Sequence, residues 1–367
     1  MSTTDQSEAS APAASDVAGQ LRGADFLRLV AAPPGDALAA AGLLARAVDG
    51  PYQVTVAAVS EAAERATEAD CTVGLGLDVG DLALTDPPAS RLAFAAADAL
   101  GGTASLDETA PWLALAGTVA AGAAPSGPAL DAVAPDRRPG LAVPTADPAD
   151  GLAHTTLAHG PFSGDRAAAA ATLEETDGDG EDARRRRASL VALSVAGSGT
   201  PSGAEAVEAL LGPYAGGPFR TVGGYADVLD ALAWTAPGLG VALAVGAGDR
   251  EAALDAWRAH GRHAHAAVAD ARTARYDGLL VAQCEGGEVP LGTVARLLAQ
   301  FDSPEPVVLA VTDGRGAAHA LDGTDAGRVA SAAASTVDGT ASGSPRAARA
   351  RFEREATEFA AAFREAL

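Results

Sequence analysis

The chain has 367 residues, of which 48 are acidic and 26 are lysine or arginine, so its formal net charge at pH 7 is −22. All of these basic residues are arginine, and lysine, isoleucine and asparagine are absent. The three missing residues need AT-rich codons, so the gene is GC-rich, and the acidic, alanine-rich composition is typical of a halophile. At molar salt the Debye length is only about 3 Å, so the charge does not exclude nucleic acid as a partner.

Length predicts two domains, and an apolar fraction of 48% is enough for two cores. No apolar run reaches the roughly 18 residues of a membrane span, and the N-terminus has no basic-then-apolar signal pattern. We therefore expect a soluble protein of the cytoplasm. Cys71 and Cys284 lie far apart and outside any C-x-x-C pair, which indicates neither a disulfide framework nor a zinc site.

The first half of the chain predicts alternating strands and helices. Residues 1–22 are rich in Ser, Thr, Ala and Asp without an apolar period, which predicts a disordered tail. In residues 23–175 the strand-like runs DFLRLVA, YQVTVAAVS and CTVGLGL are followed by helices that begin at Asp36, Glu61 and Ser90. This alternation predicts a parallel sheet with helices on both faces.

The most polar segment of the chain predicts a linker at residues 176–187. An acidic run there precedes four consecutive arginines, Arg184 to Arg187. A basic cluster can bind phosphate, but the neighbouring acids favour a solvated, self-paired linker that is exposed and poorly ordered.

The second half predicts a helical connector at residues 188–238 and a second α/β unit at residues 239–352. The strands of that unit are predicted at GLGVALAVG, YDGLLVAQCEG and EPVVLAVTD. A last helix is predicted from about Pro345 to Ala366, and residues 353–367 form its end. The fold class is therefore predicted as α/β, with two Rossmann-like parallel-sheet domains joined by helices.

Several motif fragments carry little weight. The glycines at Gly74 and Gly246 follow predicted strands, but neither completes G-x-G-x-x-G. Ser163 in HGPFSGD has the wrong spacing for a nucleophile elbow. His260 and His263 have a spacing that could bind a metal on one helical face, but no cysteine or carboxylate nearby completes a ligand set, so a helical surface is favoured.

The C-terminal stretch DGTASGSPRAARARF is more informative. Small residues and a proline precede Arg346, Arg349 and Arg351, predicted to lie at the start of the last helix. Such a turn can present backbone N–H groups and guanidinium groups to phosphate. Alternatively, Gly and Ser merely cap the helix and the arginines are solvated.

Three stretches, in this order, resemble the DHH phosphoesterase superfamily and in particular the archaeal RecJ-like exonucleases. They are GDALAAAGLLARA, GGYADVLDALA and SGSPRAARA, and together they span about residues 25–352. In the family the first follows a D-x-D-G turn, and the last reads G-G-H-P-x-A-A-G-A. The resemblance implies a DHH domain, a DHH-associated C-terminal domain, and an exonuclease or phosphodiesterase activity that uses a pair of Mn²⁺ or Mg²⁺ ions.

The metal-ligand positions that the resemblance assigns are mostly occupied by residues without ligand atoms. Aligned on Gly35, the two aspartates of the first turn correspond to Ala32 and Pro34. Asp36 lies one step beyond and is interpreted as a helix N-cap. The Asp-His-His motif corresponds to Asp86 followed by two prolines, Pro87 and Pro88.

The remaining positions follow the same pattern. A later family carboxylate corresponds to Ala121, and the C-terminal glycine-glycine-histidine corresponds to Ser342, Gly343 and Ser344. Asp78 matches the last carboxylate. Only Asp36, Asp78 and Asp86 are thus candidate catalytic remnants, too few for two hard cations.

The resemblance therefore implies a retained fold with a degenerate site, and we expect no cofactor. A non-catalytic component of the archaeal replication machinery, associated with GINS and MCM helicase subunits, is the favoured hypothesis. One alternative is a metal-dependent exonuclease or oligonucleotide phosphoesterase that uses Asp36, Asp78, Asp86, His154 and His159. Another is a repair protein that binds single-stranded DNA through Ser342, Gly343, Ser344, Arg346, Arg349 and Arg351.

Overall fold

The computed structural model describes residues 12–66, 69–101, 106–173, 178, 180–196, 201–286 and 288–367. Within these residues the chain forms two β-sheets, one in each half, with helices packed against both and between them. The α/β class and the division into two sheet-containing units are as predicted. None of the described helices is both long and apolar enough to cross a membrane.

The first sheet is fully parallel, with strand order β2-β1-β3-β4. Its buried central strands are covered by helices, because a helix follows each of the first two strands, as the alternating pattern predicts, whereas the short loop 76–81 connects the third strand to the fourth. The strands are β1 (Leu27–Ala31), β2 (Tyr52–Val56), β3 (Cys71–Leu75) and β4 (Leu82–Leu84). The helices of this unit are α2 (Gly35–Ala47), α3 (Val59–Arg65), α4 (Ala89–Gly101) and α5 (Ala110–Ala120).

The predicted N-terminal tail is wrong for its last part, because residues Ala14–Arg22 form helix α1. Val17 and Leu21 are buried in the hydrophobic core around the first sheet, Ala18 is buried beside them in the same helix, and the Arg22 guanidinium donates to the carbonyl of Ala99 in α4 at 2.8 Å. The apolar spacing of one helical turn was too short to stand out among the surrounding small polar residues. Residues 1–11 of the predicted tail lie outside the described residues.

In its described part the predicted connector is helical apart from the irregular segment 211–221, and the predicted linker is wrong for residues 181–187. The helices between the two sheets are α6 (Pro128–Val133), α7 (Pro148–His154), α8 (Arg166–Leu173), α9 (Glu181–Ala196), α10 (Pro201–Leu210), α11 (Val222–Thr235), α12 (Pro237–Ala244) and α13 (Arg250–Asp270). In α9, Arg185 pairs with Glu181 one turn away, and Ala183 and Val191 are buried. Glu181 and Asp182 in its first turn interact favourably with the helix dipole, so the charged residues of this segment stabilise a helix.

The stretch GLGVALAVG was predicted as a strand, but most of it forms helix α12. Pro237 occupies the first turn of this helix, where its missing N–H has no intrahelical partner to lose. A short apolar run does not distinguish a buried strand from a buried helix by periodicity alone.

The second sheet is mixed, and the prediction of parallel strands is wrong for it. Its order is β5-β6-β7-β8-β10-β9, and only β6 and β7 run parallel. Asp277-Gly278 and Asp313-Gly314 make two-residue connections with both glycines at positive φ, which forces antiparallel hairpins. The strands are β5 (Arg272–Tyr276), β6 (Leu279–Gln283), β7 (Val307–Thr312), β8 (Arg315–Ala320), β9 (Thr340–Gly343) and β10 (Ala347–Arg351).

The C-terminal stretch forms a hairpin, so the predicted helix start at Pro345 is wrong. Strands β9 and β10 pair antiparallel, and the last helix, α16 (Ala356–Ala366), begins later. In β10, Ala348 and Ala350 face the core formed with α15 (Ala326–Thr336) and α16, whereas Arg349 lies on the opposite face. This alternation has the period of a strand.

Three cores result. The first surrounds the parallel sheet, and the second and third lie on the two faces of the mixed sheet. Helix α13 joins the first two, because Trp257 belongs to the first core and Ala264 to the second. Helix α14 (Leu291–Leu297), followed by a π-helical turn (Leu298–Asp302), crosses from β6 to β7 and packs in the second core.

Candidate functional site

The turn after β1 lies where ligands bind in parallel sheets, at the carboxyl end of the strand. Ala32 is buried, and its N–H donates to the carbonyl of Leu75 in β3 at 2.8 Å. Pro34 immediately precedes α2 in an extended conformation. Both positions that the resemblance assigns to metal ligands therefore carry side chains that bind no metal.

A carboxylate from another helix binds the N-terminus of α2. The Gly35 N–H donates to Asp230 Oδ1 in α11 at 2.8 Å, and a Cβ at Gly35 would lie only 2.7 Å from that oxygen. Burial raises the pKa of Asp230 to about 6, and Asp227 and Asp36 add to the rise, while the Gly35 N–H and Arg296 oppose it. Asp230 is thus a helix-capping acid that binds a proton more readily than an ordinary aspartate.

Asp36 caps a helix, but not the one predicted. It lies within the first turn of α2, and its buried carboxylate accepts the N–H groups of Ala89 at 2.8 Å and Ser90 at 3.0 Å, the first two residues of α4. Pro88, which precedes α4, has no side-chain acceptor, so Asp36 supplies the cap from a neighbouring helix. Burial raises the pKa of Asp36, against the hydrogen bonds from Ser90 and Ala89.

The other two candidate carboxylates, Asp78 and Asp86, are exposed. Asp78 lies in the loop between β3 and β4, and Asp86 directly precedes the Pro87-Pro88 pair, whose peptide bond is cis. Within the described residues, no group of three or more His, Cys, Asp or Glu side chains is arranged to hold a metal ion.

The residues at this turn do not fit the two-cation centre that the fold family implies. Hard divalent cations need several oxygen or imidazole ligands. Ala32, Pro34 and Ala121 offer none from their side chains, and both oxygens of Asp36 already accept backbone N–H groups. One oxygen of Asp230 is occupied in the same way.

The C-terminal hairpin contributes Arg349 to the boundary between the two units. Its guanidinium stacks over the ring of Trp234 in α11. A Cβ at Gly292 in α14 would collide with the same guanidinium, so a larger residue there would require the Arg349 side chain to move. Burial and the nearby Arg315 lower the pKa of Arg349 to about 9, and Asp230 opposes this shift. Arg349 therefore links strand β10 to helix α11.

The other candidate residues of the hairpin are more accessible. Arg351 is exposed and lies 3.3 Å from Glu61 of α3, an ion pair of the kind that adds little stability. Arg346 is exposed beside the turn. The Ser344 N–H donates to the Ala347 carbonyl at 2.8 Å, so this donor is already used within the turn. Ser342 and Gly343 belong to β9.

The histidines separate into different environments. His260 contacts Thr293 Oγ1 at 3.1 Å, whereas His265 contacts His159 Nδ1 and the carbonyl of Thr155, both at 3.0 Å. His263 is exposed. These three histidines therefore do not converge on a common site, but the predicted helical surface is wrong for His260 and His265, which are buried. Of the residues in the nuclease alternative, His159 also lies 3.7 Å from Asp302, and His154 contacts the backbone and side chain of Asp150.

Two acids of α11, the buried Asp227 and the partly buried Asp230, are not among the predicted site residues, although both lie within GGYADVLDALA. Asp227 accepts hydrogen bonds from Thr155 Oγ1, Thr156 N, Thr156 Oγ1 and Trp257 Nε1. Arg296 of α14 donates to the carbonyl and hydroxyl of Thr156. Two acids three residues apart in an otherwise apolar helix, Asp227 and Asp230, were the available signal.

Three buried histidines predict that acid destabilises the protein. Burial lowers the pKa of His260 to about 4 and the pKa of His265 and His319 to about 3. Below the unfolded-state pKa of about 6.5 the unfolded chain binds protons that the folded chain does not, so the free energy of unfolding decreases as the pH is lowered. Each of these histidines lowers the free energy of unfolding by up to about 1.4 kcal/mol for every pH unit of acidification. Below the raised pKa of Asp230, the folded chain binds a proton at that carboxylate, which offsets the contribution of about one histidine.

Urea denaturation in molar salt from neutral pH to about pH 4.5 measures this slope. His319→Gln should reduce it, because that side chain no longer titrates, while His263→Gln, at an exposed position, should leave it unchanged. A free energy of unfolding that stays constant or increases over this interval would contradict the prediction.

Comparison with known proteins agrees with this architecture. A solved structure of exonuclease RecJ bound to manganese superposes with a TM-score of 0.53 at 15% identity, covering 97% of this chain and 94% of that one. CDC45 from Entamoeba histolytica superposes with a TM-score of 0.55 at 9% identity, covering 93% of this chain and 95% of that one. At these identities the likeness shows the fold alone.

Sequence comparison gives a closer relationship. A family model described as the C-terminal domain of uncharacterized protein rrnAC1427 matches residues 271–365, which include all six strands of the mixed sheet, α14, α15 and nearly all of α16. The protein rrnAC1427 of Haloarcula marismortui is 50% identical over 378 residues, with 100% of both chains covered. The chain therefore belongs to the rrnAC1427 family, and its fold resembles that of exonuclease RecJ and CDC45.

Proposed function

We propose that the protein is a catalytically inactive RecJ-like protein of the cytoplasm that acts by binding, as a non-catalytic component of the archaeal DNA replication or repair machinery. The observation that carries the proposal is the turn after β1. Ala32 and Pro34 stand at the positions assigned to metal ligands, and Asp36 and Asp230 beside them are engaged in capping α4 and α2.

The electrostatics of this turn support the same proposal. A two-cation site keeps several carboxylates close together, and their repulsion is relieved only by the metals. Here Asp227 and Asp36 already contribute to the raised pKa of Asp230. Alanine and proline at the ligand positions avoid further repulsion, which favours stability of the scaffold over metal binding.

A binding role has a precedent in the superfamily, which includes a catalytically dead subunit of the eukaryotic replicative helicase. The fold likeness to CDC45 is in keeping with this precedent. By the same resemblance, GINS and MCM helicase subunits are the proposed partners. Within the C-terminal hairpin, the exposed Arg346 is the proposed contact for a partner or for single-stranded DNA, because Arg349 stacks on Trp234.

The first test is catalytic. Wild-type protein with manganese in molar salt should degrade neither single-stranded DNA nor single-stranded RNA. Pro34→Asp should also be inactive, because one added carboxylate cannot assemble a two-cation site. Nuclease activity in the wild type that disappears in Asp78→Ala or Asp86→Ala would overturn the proposal and favour a metal-dependent exonuclease.

The second test concerns partners. Tagged wild type, Pro34→Asp, Arg346→Ala and the exposed control Arg262→Ala are used to recover proteins and DNA from the native host in high salt. Wild type, Pro34→Asp and Arg262→Ala should recover GINS or MCM subunits, and Arg346→Ala should recover less. The binding proposal fails if the wild type recovers no replication or repair protein and retains no single-stranded DNA.

A further inference from the structure

A cavity of about 510 Å³ lies away from the turn after β1, among the connector segments. Two irregular segments, residues 138–148 and 213–221, form most of its wall, together with residues from α9 and the first residue of α13. Its five arginines come from all of these elements: Arg138, Arg184, Arg187, Arg220 and Arg250. The sequence alone does not bring these five side chains together.

The charge of this cavity is opposite to that of the chain. Acids outnumber arginines 48 to 26 overall, yet no Asp or Glu is among the described residues that line the cavity. An adjoining cavity of about 390 Å³ shares Arg138 and Arg184, and adds Arg137 together with Asp136 and Glu181. A concentration of guanidinium groups in so acidic a protein needs an explanation beyond composition.

The walls of the cavity are tied together by backbone contacts. Antiparallel bridges join Arg137 to Tyr214 and Leu141 to Leu211. The Thr221 hydroxyl donates to the Val143 carbonyl at 2.9 Å. The cavity is therefore built before any ligand arrives, which reduces the entropy lost on binding.

Some of the arginines are positioned without being neutralised. Arg250 Nη1 donates to the Pro218 carbonyl at 2.7 Å, and Arg250 Nη2 lies 4.0 Å from the Glu251 carboxylate, the limit of an ion pair. The Arg220 N–H donates to the Pro144 carbonyl at 3.1 Å, which fixes the backbone that carries its exposed side chain. A carbonyl partner orients a guanidinium but cancels none of its charge. Arg138, in contrast, pairs with Asp136.

Two residues of the run Arg184–Arg187 line the cavity. They are Arg184 and Arg187, and the Arg187 guanidinium also donates to the Gly178 carbonyl, whereas Arg185 pairs with Glu181 one turn earlier. Positions three residues apart lie on the same face of α9, so the helix directs both toward the same space. The helical structure thus gives this run a role that a linker could not have.

We infer that this cavity binds the polyphosphate group of a nucleotide. The guanidinium groups of Arg220 and Arg250 share one space with three further arginines, and such an arrangement matches an anion of multiple charge better than a single carboxylate. The volume is in the range of small-molecule sites, and the half-buried rings of Pro139, Pro213 and Pro218 offer apolar contact for a base. Phe219, the aromatic residue in the lining, is buried, so the stacking platforms of single-strand binders are missing from the described wall.

This site lies apart from the turn after β1, and the inference does not depend on the proposed function. The experiment is calorimetric titration of the full chain in molar potassium chloride with ATP, ADP, AMP, adenosine and inorganic pyrophosphate. ATP and pyrophosphate should bind saturably, AMP at least about tenfold more weakly than ATP, and adenosine not measurably, because binding follows the number of phosphate charges.

Variants test the residues. The double variant Arg220→Ala/Arg250→Ala should bind ATP at least about tenfold more weakly, and Arg220→Lys, which keeps the charge but loses the planar fork, should fall between it and wild type. Arg262→Ala, an exposed arginine of α13 outside the cavity, should bind like wild type. Thermal unfolding of each variant shows whether it is folded. If the double variant is unfolded, the affinity of Arg220→Lys for ATP tests the site instead.

The inference is overturned if the wild type binds neither ATP nor pyrophosphate, or if the folded double variant binds ATP as wild type does. It is also overturned if a short oligothymidylate or a polyglutamate peptide binds at this site while ATP does not, since the cavity would then serve a nucleic-acid strand or an acidic partner. None of these results bears on the proposed replication or repair role, which has separate tests.

Discussion

Asp227→Ala is expected to lower the free energy of unfolding by about 4 kcal/mol, the largest single effect in the molecule. The carboxylate is 1% exposed and accepts hydrogen bonds from two hydroxyls, a backbone N–H and an indole N–H. Alanine would leave these donors buried without an acceptor, and each unsatisfied donor costs about 1–3 kcal/mol if the site cannot relax.

The position of Asp227 explains why this loss should affect the whole molecule. It lies on α11, whose apolar residues Val228 and Leu229 belong to the first core, and it binds Thr155 and Thr156 just after α7. Residues of α7 belong to the second core, and Arg296 of α14 binds Thr156 as well. The carboxylate is therefore a polar link between two hydrophobic cores.

Urea denaturation in molar salt, followed by tryptophan fluorescence and by circular dichroism, measures the effect. Asp249→Ala is the matched control, because Asp249 also binds α13, as its exposed N-cap, and should cost only about 1 kcal/mol. Trp257→Phe removes one of the donors and should cost less than Asp227→Ala. Equal stability of Asp227→Ala and Asp249→Ala would show that the buried network adds nothing.

Much of the first unit could be predicted from sequence because its signals are local. Strands β1 to β3 are apolar runs of strand length, and turns rich in Gly, Pro and Asp separate them from helices. The direction of the second sheet could also have been predicted, since Asp277-Gly278 and Asp313-Gly314 are strong hairpin signals. The error came from extending the βα pattern of the first half to the second.

The site could not be predicted in the same way, because its contacts join distant parts of the chain. Asp230 and Gly35 are 195 positions apart, and Asp36 and Ala89 are 53 apart. The sequence shows that the turn after β1 lacks ligand atoms, but it does not show which acids cap the neighbouring helices. Burial of Arg349 against Trp234 likewise depends on how a hairpin of one unit packs on a helix beside the other.

Asp36→Ala is expected to lower the free energy of unfolding by about 2–3 kcal/mol. Both oxygens of this buried carboxylate accept N–H groups at the start of α4, and no other acceptor is supplied by Pro88. Asp36→Asn keeps one oxygen as an acceptor and should lose about half as much. Asp78→Ala, at an exposed position, should change the free energy of unfolding by less than about 0.5 kcal/mol.

The same variants separate a structural role of Asp36 from a catalytic one. If Asp36 were a metal ligand, manganese would raise the unfolding midpoint of the wild type, and Asp36→Ala would abolish that increase, because a cation bound only by the folded state stabilises it. A cap makes the opposite prediction: the loss on Asp36→Ala is the same with manganese and with a chelator. A loss that depends on manganese would therefore contradict the assignment of Asp36 to α4, and with it the main support for an inactive site.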